Sequence, residues 1–215
     1  TLPNNAQITL YGADTFARPG YELIGWDVDK NVADPTYKPG VKVIVDNLGE
    51  NGNVLYAIWK QSTVKLTVTK TVTGNFGDKS KAFEFSMKVD GGNGFELTAK
   101  GTALTRGKSD YTFSLKHGEK IEIEGIPVGK QIVLAETNAD KYGVQFGEND
   151  MITGGPRAVT IASLTADTKI AVVNYRYTQP DTGVLVDSLP YILIIACVAA
   201  IGAFIVIRRR KKRED

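Results

Sequence analysis

Three polar residues, Lys70, Glu136 and Asn174, occupy positions that predict a covalent cross-link between β-strands. Side chains two residues apart in a strand share a face. Each of the three continues the apolar face of a predicted strand; these faces carry Val64, Leu66, Val68 and Val72, then Ile132 and Leu134, then Ile170 and Val172. Because an unpaired buried Lys or Glu is strongly destabilising, we expect the three side chains to meet in one core.

Together these side chains have the chemistry of an autocatalytic isopeptide bond. Burial favours the neutral forms of both lysine and glutamic acid. The neutral Lys70 amine can attack the side-chain carbon of Asn174, while protonated Glu136 polarises the carbonyl and relays protons. Ammonia leaves, and no metal or cofactor takes part. The bond would join the first strand of a domain to its last and restrain the unfolded chain as a disulfide does.

Strand phase also allows an interpretation without a bond. The Lys70 amine could reach solvent while Glu136 and Asn174 hydrogen-bond each other or the backbone. Lys81 is a rival nucleophile because it is in phase with Phe83, although the polar run before it favours exposure.

Two further candidates are weaker. Lys65 faces the other side of its strand, together with Thr67 and Thr69. His117 precedes Gly118 in a predicted turn, which favours a solvated loop residue over a catalytic base.

Short motifs around the three residues resemble the isopeptide-forming pilin and collagen-adhesin B-type domains. The matching segments are Leu66-x-Val68-x-Lys70, Leu134-x-Glu136-Thr137 and Val172-x-Asn174. Residues 133–142 also resemble the E-box of those families, whose usual Ala-Pro-x-Gly-Tyr end is replaced by Ala139-Asp140-Lys141-Tyr142. The resemblance implies a Lys70–Asn174 bond assisted by Glu136.

Residues 62–177 form the predicted domain that positions this cluster. Alternating apolar and polar residues, separated by glycine-rich turns, predict an all-β, Ig-like sandwich of about seven strands. The predicted strands are Val64–Val72, Phe83–Val89, Tyr111–Leu115, Lys120–Glu124, Gln131–Thr137, Ala158–Ile161 and Thr168–Tyr175.

Residues 1–60 form a smaller predicted module of short strands. These strands lie around Ile8–Tyr11, Tyr21–Asp27, Val41–Asp46 and Val54–Trp59. The segments Gly20-Tyr21, Gly25-Trp26, Tyr37-x-x-Gly40 and Leu55-Tyr56-Ala57-x-Trp59 resemble the Listeria–Bacteroides repeat, which implies a β-grasp-like fold. Because both tryptophans fall within alternating strands, we expect core anchors rather than a sugar-stacking platform.

We predict no metal site in this module. The run from Asp27 to Asn31 mimics the start of a calcium-binding loop. However, Val32 stands where glycine is needed, and Lys38 stands where a bidentate Glu belongs.

The C-terminal residues resemble the sorting signal of Gram-positive surface proteins. A linker at 178–188 contains Gln179-Pro180-Asp181-Thr182-Gly183, an LPxTG-like motif with Gln in the first position. A charge-free run at 189–207, as a helix of roughly 28 Å, predicts a transmembrane segment, and the basic tail at 208–215 is expected in the cytoplasm. The resemblance implies cleavage by a sortase; a plain membrane anchor is the alternative.

Charge and cysteine content agree with an external location. Without the six basic and two acidic residues of the tail, 20 basic and 22 acidic residues remain, so the composition does not indicate nucleic-acid binding. The only cysteine, Cys197, lies in the apolar run, so the external part cannot form an internal disulfide. The chain begins at Thr1 without a signal peptide, and we expect it to be the C-terminal piece of a longer precursor.

The leading hypothesis is therefore a cell-wall-anchored stalk or adhesin without enzymatic activity. Its expected partners are a sortase, the peptidoglycan precursor, the membrane before cleavage, and a host or matrix ligand bound by upstream domains. A pilus subunit is the first alternative, although no YPKN-type pilin motif occurs. The second is the wall-anchoring region of a surface enzyme whose catalytic domain lies upstream.

Overall fold

The computed structural model describes residues 5–44 and 54–177. These residues form strands, turns and loops, so the all-β prediction is confirmed for this part of the chain. No helix capable of crossing a membrane occurs among them. The predicted sorting motif and linker at 178–188, transmembrane helix at 189–207 and basic tail at 208–215 lie outside the described residues.

The smaller module consists of two separate antiparallel pairs. β1 pairs with β3, and β2 pairs with β4. The strands are β1 (Gln7–Thr9), β2 (Tyr21–Asp27), β3 (Lys42–Ile44) and β4 (Tyr56–Gln61). The backbones of Trp26 and Tyr37 exchange hydrogen bonds of 2.8 and 3.1 Å, which connect β2 to the segment leading into β3.

Aromatic side chains supply much of this module's packing. Trp26 is half-buried and packs on the small core of Leu10 and Val43. Its Nε1 donates to the carbonyl oxygen of Tyr11 at 3.0 Å, and the Phe16 ring meets the indole edge-on at 5.6 Å. Trp26 thus occupies the anchoring position that its strand phase predicts.

The acidic loop that mimics a calcium site is organised by bonds to its own backbone. The Asp27 side chain accepts hydrogen bonds from the backbone N–H groups of Asp29, at 3.0 Å, and of Thr36, at 2.8 Å. These bonds, the one from Asp29 first, lower the pKa of Asp27. Its carboxylate therefore serves as a local cap for the loop.

The larger module is a sandwich of two five-stranded sheets. The first has the order β12–β14–β5–β10–β7, and the second has the order β13–β11–β6–β9–β8. Its strands are β5 (Thr63–Thr73), β6 (Phe83–Val89), β7 (Thr98–Lys100), β8 (Thr105–Arg106), β9 (Tyr111–Leu115), β10 (Lys120–Pro127), β11 (Lys130–Glu136), β12 (Gly143–Phe146), β13 (Arg157–Leu164) and β14 (Thr168–Tyr175).

The predicted number of about seven strands in this domain was wrong, because the structure contains ten. The strands that sequence reasoning missed are β7, β8 and β12, which have two to four residues each. Segments this short carry too few residues to show a period of two. They form because each pairs with a longer neighbouring strand at the edge of a sheet.

Both sheets contribute to one apolar core, and the first and last strands of the sandwich form a parallel pair. Fully buried side chains come from each sheet, among them Leu66, Val172, Phe83 and Leu134. β5 and β14, the first and last strands of the sandwich, run parallel and pair from Leu66↔Thr168 to Thr73↔Tyr175. All the other strand pairs in the described residues are antiparallel.

A single residue, Ser62, joins the two modules between β4 and β5. Its N–H donates to the carbonyl oxygen of Gly20 at 2.9 Å, and its own carbonyl accepts from the N–H of Val128 at 3.0 Å. The linker backbone is thus bonded to both modules.

Lys141 lies at the position where the resembling families have glycine, and its backbone has the left-handed conformation, with φ of 67°. A side chain with a Cβ is disfavoured there by roughly 1–2 kcal/mol. The turn places Tyr142, whose hydroxyl accepts the Asp78 N–H at 3.0 Å and whose ring packs edge-on against Phe83 at 5.2 Å. This sequence keeps the turn despite lacking the glycine that suits it.

We predict that Lys141→Gly raises the free energy of unfolding by about 0.5–1 kcal/mol, since glycine adopts positive φ readily but is more flexible when unfolded. Urea denaturation of residues 1–177 measures the change. Lys141→Ala is the control, because it removes the amine but keeps the Cβ, and it should change stability by less than the glycine variant. Equal stabilisation by both variants would show that the charge, rather than the backbone, is unfavourable.

Candidate functional site

Lys70 lies on the core-facing side of β5 with its side chain fully buried. Its Nζ lies 4.3 Å from the centre of the Phe83 ring and 5.5 Å from that of Phe85. Both rings come from β6, in the opposite sheet. The interpretation in which Lys70 reaches solvent is therefore wrong, and its ammonium group is enclosed by aromatic faces.

Glu136 and Asn174 reach the same point from two other strands, as their strand phase predicts. Glu136 ends β11 in the sheet opposite Lys70, and Asn174 lies near the end of β14, beside β5. The register pairs Lys70 with Val172 and Asn174 with Val72, so Asn174 lies two positions further along the same face. Glu136 is 4% exposed and Asn174 is completely buried.

The three side chains form a closed set of hydrogen bonds. The Lys70 Nζ donates to Glu136 Oε1 at 2.8 Å and also to the Asn174 amide oxygen, Oδ1. The Asn174 amide nitrogen, Nδ2, donates to the same Glu136 Oε1 at 2.9 Å. One carboxyl oxygen therefore contacts both the amine that could act as nucleophile and the amide nitrogen that could leave.

Burial in these surroundings lowers the pKa of Lys70 from its usual 10.5 to about 8. Desolvation is the largest cause; the Glu136 carboxylate opposes it, and the positive charge of Lys81 adds to it. The neutral, nucleophilic form of the amine is thus much easier to reach here than in an exposed lysine.

Glu136 also has one oxygen that the cluster leaves unsatisfied. Oε2 is buried and has no hydrogen-bond partner within the described residues. Such an oxygen costs about 1–3 kcal/mol, and natural proteins retain few of them. Of the two Glu136 carboxyl oxygens, only Oε1 therefore bonds to Lys70 and Asn174.

The two other candidate lysines are directed elsewhere. The Nζ of Lys81 donates to the carbonyl oxygen of Asn138 at 2.7 Å and lies over the Phe83 ring at 5.2 Å. Lys65 lies on the outer side of β5, where its Nζ is 4.0 Å from the Asp167 carboxylate. Lys70 is therefore the lysine that the fold brings to Glu136 and Asn174.

Sequence reasoning missed two features of the site. Phe83 and Phe85 form its apolar enclosure, and their phase in β6 was a usable signal for this role. The prediction that His117 lies in a turn is confirmed, but the hydrogen bond that its side chain makes was missed. His117 is half-buried, and its Nδ1 accepts the backbone N–H of Val72 at 3.0 Å.

Known proteins with similar sequences are components of bacterial pili. The chain is 34% identical over 131 residues to the pilus tip adhesin Cpa of Streptococcus pyogenes, covering 58% of this chain and 18% of the adhesin. It is 30% identical over 165 residues to a pilin of Streptococcus pyogenes serotype M1, covering 67% of this chain and 48% of the pilin. The chain thus spans less than half the length of these curated relatives.

A solved structure shares the fold. The pilus-presented adhesin Cpa superposes with a TM-score of 0.50 at 25% identity, over 61% of this chain and 33% of the adhesin chain. Together with the sequence relatives, this places the sandwich in the class of pilin-like and pilus adhesin-like domains, and the relatives that carry those domains are structural proteins. Within that class, residues 64–176 match the family model described as "Domain of unknown function (DUF7601)", and the chain belongs to this family.

Proposed function

We propose that this chain is a structural stalk or adhesin segment of a sortase-anchored surface protein, stabilised by an autocatalytic bond between Lys70 and Asn174. The main support for the cross-link is that Glu136 Oε1 contacts both reacting groups. It lies 2.8 Å from the Lys70 amine and 2.9 Å from the Asn174 amide nitrogen. A single carboxyl oxygen can take a proton from the first group and give it to the second.

The proposed reaction balances without any other reagent. A proton passes from the Lys70 ammonium to Glu136, which leaves a neutral amine beside a neutral acid. As the amine attacks the Asn174 side-chain carbon and the Nζ–Cγ bond forms, Glu136 gives its proton to the amide oxygen Oδ1. Glu136 then receives the proton that the attacking nitrogen loses. Glu136 next protonates Nδ2, the Cγ–Nδ2 bond breaks and ammonia leaves. The carbonyl re-forms as the Oδ1 hydroxyl returns its proton to Glu136, which ends the reaction protonated. Lys70 and Asn174 remain joined by an amide.

The position of this bond suits a load-bearing stalk. Lys70 and Asn174 are 104 residues apart in sequence but lie on adjacent parallel strands. A pull on the two ends of the sandwich would shear β5 against β14, and the bond would carry the load past the intervening residues. By constraining a loop of about 100 residues, the bond would also stabilise the domain by up to roughly 4–5 kcal/mol in the chain-entropy model.

The first test is the mass of the domain. Purified residues 62–177 should be lighter than the sequence mass by one ammonia, and a tryptic digest should contain a branched peptide joining Lys70 to Asn174. Glu136→Ala should fold but keep the full mass, because no group relays protons. Lys81→Ala, which leaves the three contacts in place, should still lose ammonia. A folded wild-type domain with the unmodified mass would rule out the bond.

The second test is the pH dependence of bond formation. The reactive form, neutral Lys70 beside protonated Glu136, holds the same number of protons as the ion pair of charged Lys70 and charged Glu136. The fraction of chains in the reactive form therefore does not change with pH just below the Lys70 pKa of about 8. Above it the pair loses the shared proton, and the rate should fall about tenfold per pH unit. Chains made by cell-free translation, arrested and moved to buffers of different pH, provide the time course by mass spectrometry.

A rate that instead rises through pH 8 and then levels off would mean that the neutral amine alone limits the reaction. The proposed relay through Glu136 would then be wrong, even if the bond forms.

We also propose that the chain is anchored to the cell wall through Gln179–Gly183. The motif follows the sandwich and precedes an apolar run and a basic tail, as in the surface proteins that it resembles. A sortase cysteine would attack the Thr182 carbonyl, break the Thr182–Gly183 peptide bond and release the chain from Gly183 onward. The Thr182 acyl group would then pass from the cysteine to an amine of the peptidoglycan precursor. The smaller module would be a Listeria–Bacteroides-type repeat in the stalk, with ligand binding left to upstream domains.

A pilus subunit is the second candidate, favoured by the 30% identity to a pilin. In that case a lysine of another copy would replace the wall precursor as the acceptor of Thr182. Wild-type cells would then release a ladder of covalent oligomers that resists boiling in detergent, whereas a wall-anchored stalk would release monomers.

Anchoring can be tested on protein released from cell walls by muramidase. Mass spectrometry should find chains that end at Thr182 with a wall fragment attached. Thr182→Ala should leave the protein in the membrane fraction, whereas Thr178→Ala, outside the motif, should not. Wall-linked chains that still contain residues 189–207 would contradict the proposal.

A further inference from the structure

The strand that carries Lys70 extends beyond its antiparallel neighbour. β10 begins at Lys120, which pairs with Thr69. Beyond Thr69, backbone groups of the turn before β10 form the hydrogen bonds to β5. The Lys70 N–H donates to the carbonyl oxygen of Glu119 at 2.9 Å, and the Gly118 N–H donates to the carbonyl oxygen of Lys70 at 2.8 Å.

Two residues beyond Lys70 on the same edge of β5, the hydrogen-bond acceptor is a side chain instead of the backbone. Val72 has the next N–H on the β10 side, and His117 Nδ1 accepts it at 3.0 Å. Val72 is only 1% exposed, so this N–H would otherwise have to be satisfied inside the protein. The imidazole thus replaces the backbone carbonyl that a longer β10 would have offered to the Val72 N–H.

The opposite edge of the same segment meets β14. Val72 is the register partner of Asn174, and Lys70 is that of Val172. The residues of β5 that alternate with Lys70 and Val72 direct their backbone groups toward β14. Thr73, for example, accepts the Arg176 N–H at 3.1 Å. The end of β5 is therefore bonded along one edge to the turn that contains His117 and along the other edge to β14, the strand that carries Asn174.

We propose that His117 is a positioning residue for the cross-linking reaction, a proposal that rests on the Lys70–Asn174 bond. By holding the Val72 N–H, the imidazole keeps this end of β5 in register, so the Lys70 amine stays within reach of the Asn174 carbon. The bond from Val72 requires a lone pair on Nδ1 and therefore places the imidazole proton on Nε2. Small displacements of reacting groups slow such reactions strongly.

The test compares rates of ammonia loss in the full chain after cell-free translation and arrest. His117→Ala, which lacks the acceptor, should form the bond at least about tenfold more slowly than wild type. His117→Asn should restore most of the rate, because its amide oxygen lies close to the position of Nδ1. If H117A does not fold, His117→Gln is the second test: its acceptor lies further out, and it should also be slow.

Tyr111→Phe is the matched control. It removes another side-chain bond to the backbone, from Tyr111 Oη to the carbonyl oxygen of Phe95 at 2.9 Å, in the sheet opposite Lys70. It should lower the melting temperature without slowing the reaction. Wild-type speed in H117A, or equal slowing in the Ala and Asn variants, would overturn the role of His117. A wild-type chain that never loses ammonia would instead refute the cross-link itself.

Discussion

The parallel pairing of β5 with β14 is the constraint on which the buried polar cluster depends. Desolvating an ammonium, a carboxyl and an amide is unfavourable unless each finds partners inside the protein. The register of this pair places Asn174 two positions beyond the partner of Lys70 and on the same face. A slip of one residue would turn the Asn174 side chain out of the core and leave Lys70 and Glu136 without their third partner.

The second sheet completes the arrangement from the other side. Glu136 lies at the last position of β11, in register with Phe85 of β6, so the carboxyl and an aromatic wall of the lysine pocket come from paired strands. The cluster therefore ties together both layers of the sandwich as well as its first and last strands. The family match covers residues 64–176, which contain all of these elements and exclude the smaller module.

Much of this site could be predicted from the sequence, because the period of two places Lys70, Glu136 and Asn174 on apolar faces without knowledge of the fold. The period does not say which strands are neighbours, so the contacts between them had to come from the structure. The role of His117 was hidden because a histidine before glycine is typical of an exposed turn, and its partner, Val72, is 45 residues away. Lys141 likewise gives no local sign of its left-handed backbone; only the glycine of the resembling families marks the position.

The order of the strands also determines when the sandwich can be completed during synthesis. β14 lies between β12 and β5 in its sheet, yet it is the last strand of the sandwich to be made. Until it emerges, a nascent chain presents the long edge of β5, with open hydrogen-bonding groups that can pair with another unfinished chain. Pairing of such distant segments is also slow, because the entropy of closing a large loop opposes it before contacts form. We therefore expect crowded nascent chains of this protein to aggregate most readily before residues 168–175 emerge and pair with β5.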